Sequence, residues 1–184
     1  LSVAFSWPDG EHILTGSADQ TAILWDLDGQ ELRTFSGHRG TVESVAFSPG
    51  GERVLTGSAD QTAILWSLDG QEPQTFSSHT GAILSVAFSP NREHILTGSA
   101  DQTAKLWGLE VQKLLRTFSG HTGAVWSVAF SPSGEYILTG SEDQTAKLWD
   151  LNGQLLRTFS GHTGAVWSVA FSPSGEYILT GSED

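Results

Sequence analysis

Apolar residues run along this chain in short stretches of four to seven, each closed by Gly, Pro, Asp or Ser. Between His38 and Ser78 four such stretches follow one another: 41–47 (TVESVAF), 52–58 (ERVLTGS), 62–68 (TAILWSL) and 73–76 (PQTF). Turn clusters separate them at SPGGE, Ala59–Asp60 and LDGQ. No stretch holds a helical period, so the pattern predicts strands throughout. Val45 and Phe47 alternate with Ala46, and Ile64 and Trp66 with Ala63 and Leu65, so neither face of these strands is polar. A sheet that is apolar on both faces needs a neighbour on each of them.

The pattern repeats. SVAFS or its equivalent starts at Ser2, Ser44, Ser85, Ser127 and Ser168, and LTGS at Leu14, Leu55, Leu96, Leu138 and Leu179. Residues 114–143 and 155–184 are identical, the mark of a recent duplication or of engineering. A period of about 41 residues with four strands in each predicts four-stranded antiparallel sheets stacked face to face around an axis. The expected fold is therefore all-β, a β-propeller made of four-stranded antiparallel blades. The chain divides into units 1–37, 38–78, 79–120 and 121–161 and a half-unit 162–184, all within one partial propeller.

The recurring set Gly-His, SVAFSP, LTGSAD and LWD, in register along the whole chain, resembles the WD-repeat family, above all the highly repetitive bacterial arrays. Departures are Trp66-Ser67 and Trp107-Gly108 where the family has Trp-Asp, Ser78-His79 for Gly-His, and extra residues at Trp7 and near Glu110–Val111. The resemblance implies strands a to d from the inside of each blade outward, here a-b-c-d four times and then a-b. Family propellers commonly have seven or eight blades, so about 4.5 repeats imply a ring closed by oligomerisation. A homodimer of eight or nine blades is favoured, with strand exchange between the half-blade 165–182 and the first unit.

The resemblance also implies a buried hydrogen-bond chain in each blade, built from His38, Thr56, Asp60 and Trp66; His79, Thr97, Asp101 and Trp107; and His121, Thr139, Asp143 and Trp149. The first unit keeps Thr15, Asp19 and Trp25 without a His, and the last keeps His162, Thr180 and Asp184 without a Trp. A His, Thr and Asp together also spell a nucleophile, base and orienter, but an active site repeated in every unit is not what enzymes do. No catalysis is expected. One His and one Asp per unit are too few for a metal site, and no cofactor is implied. The Gly-Ser of LTGS lacks the lysine and helix of a phosphate loop and reads as a strand-end bend. Phe5, Phe47, Phe88, Phe130 and Phe171 read as core packing between blades.

What varies between copies points to binding. The start of strand a reads Glu43, Leu84, Trp126 and Trp167, a region the family places near the top face where partners dock. A Trp there is either a binding anchor or packing against the next blade. Glu142 and Glu183 stand where other copies have Ala, which makes that rim acidic and favours a basic or peptide ligand.

Charge narrows the partners further. Nine basic residues, no two adjacent, face 21 acidic ones for a net charge of -12, which argues against nucleic acid and anionic membranes. Cysteine is absent, so disulfide and thiolate chemistry are excluded. The chain begins at Leu1 and contains no methionine, as a processed chain or a piece of a longer one would, and shows neither signal peptide nor membrane span; a cytoplasmic location is expected. The function expected is a non-catalytic scaffold for protein–protein interaction. The alternative is an engineered or fragment array that forms a symmetric homo-oligomeric propeller with no ligand of its own.

Overall fold

The structure, a computed structural model, describes residues 2–6 and 9–184. The expected extra residue at Trp7 lies outside them. The described residues form 18 strands and no helix. The first blade holds β1 (Val3–Phe5), β2 (His12–Gly16), β3 (Thr21–Asp26) and β4 (Glu31–Ser36), and the second β5 (Val42–Phe47), β6 (Arg53–Ser58), β7 (Thr62–Ser67) and β8 (Gln74–Ser77). The third holds β9 (Ile83–Phe88), β10 (His94–Ser99), β11 (Ala104–Gly108) and β12 (Lys113–Phe118), and the fourth β13 (Val125–Phe130), β14 (Tyr136–Ser141), β15 (Ala146–Asp150) and β16 (Leu155–Phe159). Strands β17 (Val166–Phe171) and β18 (Ile178–Ser182) form a two-stranded sheet. Every blade is an antiparallel meander in chain order, and the sheets do not close into a ring. The stretch expected at 73–76 shifts to Gln74–Ser77, because Pro73 has no N–H for the ladder whereas Ser77 pairs with Thr62.

The core lies between sheets. Leu14, Ala22, Leu24 and Phe35 of the first blade pack on Val42, Val45, Val54, Ile64 and Trp66 of the second. The same arrangement joins Leu55, Ala63, Leu65 and Phe76 to Ile83, Val86, Ile95 and Trp107, and Leu96, Ala104, Leu106 and Phe118 to Val125, Val128, Ile137 and Trp149. Alternation supplies this directly: Val54 and Trp66 face one neighbour, Leu55 and Leu65 the other. The outer-strand phenylalanine of each blade meets the tryptophan of the next, with centroids 5.5 Å apart for Phe35–Trp66 and Phe76–Trp107 and 5.7 Å for Phe118–Trp149. The inner phenylalanines depart from expectation at one end. Phe47, Phe88, Phe130 and Phe171 are partly buried against the cores, but Phe5 is 62% exposed, because no other sheet of the described residues packs on that side.

Polar contacts also cross between blades. The serine of SVAF on the inner strands of blades two to four accepts from the next inner strand: Val86 N–H donates to Ser44 Oγ, Val128 N–H to Ser85 Oγ and Val169 N–H to Ser127 Oγ, each at 3.1 Å. The glycine of LTGS belongs to the same contact and corrects the strand-end reading. It sits inside the ladder, and a Cβ on Gly57 would lie 2.7 Å from both Ile83 Cγ2 and Val86 Cγ1. Glycine is needed there because the next blade occupies the space of a side chain. Gly98→Ala, whose added methyl would meet Val128 Cγ1 at 2.7 Å, is expected to destabilise by about 1–3 kcal/mol through overpacking. A chemical-denaturation midpoint equal to wild type would refute this.

Candidate functional site

Two structures converge at the end of the blades where strand b turns into strand c: a hydrogen-bonded frame and, beside it, the variable residues of the inner strands. The frame begins with the turn Asp60-Gln61-Thr62. Gln61 takes a left-handed φ of 73°, as Gln20, Gln102 and Gln144 do at equivalent places. The Asp60 carboxylate supports this turn: Oδ1 accepts from Thr62 N–H at 2.9 Å and Thr62 Oγ1 at 2.6 Å. Its other oxygen, Oδ2, accepts from Arg39 N–H at 2.7 Å and lies 2.9 Å from His38 Nδ1. His38 Nε2 is 2.7 Å from Thr56 Oγ1, which accepts from Trp66 Nε1 at 3.0 Å.

The structure brings the other two sets together in the same way. His79 reaches Asp101 at 2.7 Å and Thr97 at 2.8 Å, with Trp107 donating to Thr97 at 3.0 Å. His121 reaches Asp143 and Thr139, each at 2.7 Å, with Trp149 donating to Thr139 at 3.0 Å. In the first unit Trp25 donates to Thr15 at 2.9 Å, and in the last His162 joins Asp184 at 2.9 Å and Thr180 at 2.8 Å.

Protonation follows from burial. Burial pushes the His79 and His121 imidazoles below their ordinary pKa of 6.5, against the pull of Asp101 and Asp143. Both rings are then neutral at pH 7, with the proton on Nδ1 facing the carboxylate. Nε2 accepts from the Thr hydroxyl, whose other acceptor, a strand carbonyl, is farther away at 3.4 Å. Burial alone would raise Asp60 and Asp143, but donors from Thr62, Arg39 and His38, and from Thr145, Thr122 and His121, outweigh it and hold both at about 2. This chain of donors ends on each side in a satisfied group. The Thr is fully buried in blades two to four and the His nearly so, so none of those three hydroxyls is exposed. Among the described residues no group of three His, Cys, Asp or Glu is placed to hold a metal ion.

The variable positions share a feature that alternation could not reveal. Glu43, Leu84, Trp126 and Trp167 are each the extra residue of a β-bulge between strands a and b, where the register shifts. A bulged residue is released from the ladder and its side chain is re-aimed. Trp126 and Trp167 come together on neighbouring inner strands, ring centroids 4.6 Å apart at 54°. Trp167 is 43% exposed and donates Nε1–H to Glu183 Oε2 at 3.2 Å, while the buried Nε1 of Trp126 has no partner. Glu142, exposed at the same rim, accepts from Ala124 N–H at 3.4 Å. Glu43 and Leu84 are half-buried.

Comparison with known proteins places this arrangement. The family model for the WD domain, G-beta repeat (WD40), matches residues 1–26, 29–67, 70–108, 112–150 and 153–184. The chain belongs to the WD40 family. Each internal WD40 match opens near the outer strand of one blade and ends on the third strand of the next, so one repeat ties two sheets together. The chain is similar, 49% identical over 41 residues, to nuclear distribution protein PAC1-2 of Postia placenta, a stretch covering 22% of this chain and 10% of that protein. It is 45% identical over 42 residues to guanine nucleotide-binding protein subunit beta-1 of Caenorhabditis briggsae, covering 22% and 12%. The subunit beta of Arabidopsis thaliana is 43% identical over 51 residues, covering 27% and 14%. The matched stretches thus span about a tenth of the relatives' length.

Two outcomes follow for the frame. Asp143→Ala strips acceptors from Thr122, Thr145 and His121 and is expected to destabilise by about 1–3 kcal/mol, read as a lower melting temperature; an unchanged one would contradict the network. Stability is also expected to fall with acid in two stages. His79 and His121, lowered in the folded state, contribute stability above pH 6.5 that is lost as pH falls below it. Asp60 and Asp143 contribute stability above 3.8 that is lost between 3.8 and about 2. Thermal melts across pH 2–8 check both the sign and the order.

Proposed function

We propose that this WD40 chain is a non-catalytic protein-interaction scaffold whose binding surface is the line of bulged residues Glu43, Leu84, Trp126 and Trp167, with Glu142 at its rim. WD40 repeats imply such a scaffold, and the frame of His, Thr, Asp and Trp serves it structurally by fixing each blade's inner strand. The observation that carries the reading is the Trp126–Trp167 pair. A large indole 43% exposed on a bulge, tilted against a second and hydrogen-bonded to the Glu183 carboxylate, suits a cationic or aromatic side chain of a bound peptide. The net charge of -12 favours a basic ligand over an acidic one.

A second reading, homo-oligomeric closure of the ring into eight or nine blades, is favoured by the apolar side chains left exposed at the two ends of the array. Val3 and Phe5 are 65% and 62% exposed at one end, Tyr177 and Leu179 72% each at the other.

Selection of random peptides on the immobilised chain tests the first reading. Recovered sequences are expected to be enriched in Lys and Arg, and Trp167→Ala to weaken the best of them by about tenfold or more. Recovery of the same peptides at the same affinity by Trp167→Ala would overturn it.

A further inference from the structure

At the end of the blades opposite the frame, strand a turns into b and strand c into d. The four outer strands carry Arg33, Gln74, Arg116 and Arg157 at one equivalent position, so the second blade alone lacks arginine there. In the first blade Arg33 crosses to the second and donates from Nη1 to Ser67 O at 2.9 Å. Gln74 is shorter, and its buried Oε1 accepts from no donor among the described residues. Between the second and third blades lies a cavity of about 260 Å³, lined by Glu52, Arg53, Gln74, Arg92, Leu109 and Glu110.

The third blade departs from the others at the same place. Gly108 stands where the first and fourth blades have Asp26 and Asp150, whose Oδ1 atoms accept from the N–H of Gln30 and Gln154, each at 2.8 Å. Beside Gly108, where that carboxylate is missing, lies a second cavity of about 260 Å³ with Leu109, Val111 and Leu115 as its apolar wall. It shares Arg92, Leu109 and Glu110 with the first, so the two adjoin. Two residues there hold left-handed backbone without being glycine. Arg92 takes a φ of 62° where other copies have Gly10, Gly51, Gly134 and Gly175, and Gln112 takes 46° in a loop one residue longer than its counterparts. Unfavourable backbone of this kind collects at ligand sites.

We propose that these adjoining cavities bind an alkyl guanidinium or alkyl ammonium group, with its N–H donors on Gln74 Oε1 and its hydrocarbon on Leu109, Val111 and Leu115. The site lies at the opposite end of the blades from Trp126 and Trp167 and does not rest on the binding surface proposed there.

A buried carbonyl oxygen without a partner calls for a donor, not for another acceptor. Charge agrees. Arg92 lies 3.7 Å from Glu52, which leaves Glu93 and Glu110 against Arg53 around the two cavities. The chain also supplies its own example, since the junction of the first and second blades holds the guanidinium of Arg33 where the next junction holds a cavity. A ligand cation on an alkyl stem takes the place of the arginine that the second blade lacks.

Titration of the isotope-labelled chain with butylguanidinium, butylammonium and butyrate, followed by backbone amide chemical shifts, reads the site. At least one cation is expected to shift Gly108, Val111 and Leu115 with a dissociation constant of about 1–10 mM, and the tighter of the two identifies the head group. Butyrate is expected to bind more weakly by about tenfold or more. Gln74→Leu removes the acceptor and is expected to weaken the cation by about tenfold. Gln74→Arg gives the second blade the side chain of the other three, which fills the cavity from within, and is expected to abolish the shifts without lowering the melting temperature. Butyrate binding as tightly as the cations overturns the proposal, as does cation binding unchanged by either variant. So does the absence of localised shifts with both cations at about 100 mM.

Discussion

Each sheet of this protein is apolar on both faces, and that single constraint organises the rest. A blade cannot bury Val54 and Trp66 on one side and Leu55 and Leu65 on the other without a neighbour at each. The core is consequently distributed between sheets, and every other device serves to bring sheets close. Glycine in LTGS removes the side chain that would hold the next inner strand away, the serine of SVAF receives that strand's N–H, and phenylalanine of one outer strand meets tryptophan of the next blade. The WD40 repeat crossing from one sheet to the next makes this contact covalent as well.

The hydrogen-bonded frame solves a problem that close stacking creates. The bend from b to c holds a left-handed glutamine, and the loop from strand d leads across to strand a of the next blade. One carboxylate takes donors from both segments, and the histidine carries the connection inward to the threonine and indole of the core. Because both ends of the chain of donors are satisfied, the network rigidifies without offering a reactive group. In blades two to four its threonine is fully buried.

Repetition fixes the frame and leaves one place free to differ. At the bulge between strands a and b the extra residue bears no obligation to the ladder, so Glu, Leu and Trp are all accommodated there without disturbing the blade. Variation between copies concentrates at that place because it is where change costs the fold least. The last two copies carry tryptophan and bring two rings into contact across a blade boundary, so one residue serves both as packing and as surface.

The strands and their meander were legible in the sequence, because period-two alternation and a repeat near 41 residues encode them locally, whereas the frame of His, Thr, Asp and Trp was expected only from the WD-repeat resemblance. Leu179 repeats Leu14, Leu55, Leu96 and Leu138, which are fully buried, yet is 72% exposed, since burial depends on a neighbour and not on the residue itself. The glycine of LTGS was legible as a constraint but not as a contact, because the atoms that exclude a Cβ belong to a strand about 28 residues further on. The bulges were hidden too: a register shift is a relation between two strands, and composition along one of them carries no trace of it. Local pattern thus determined the blade, and only the packing of blade on blade decided which apolar residues became core and which became surface.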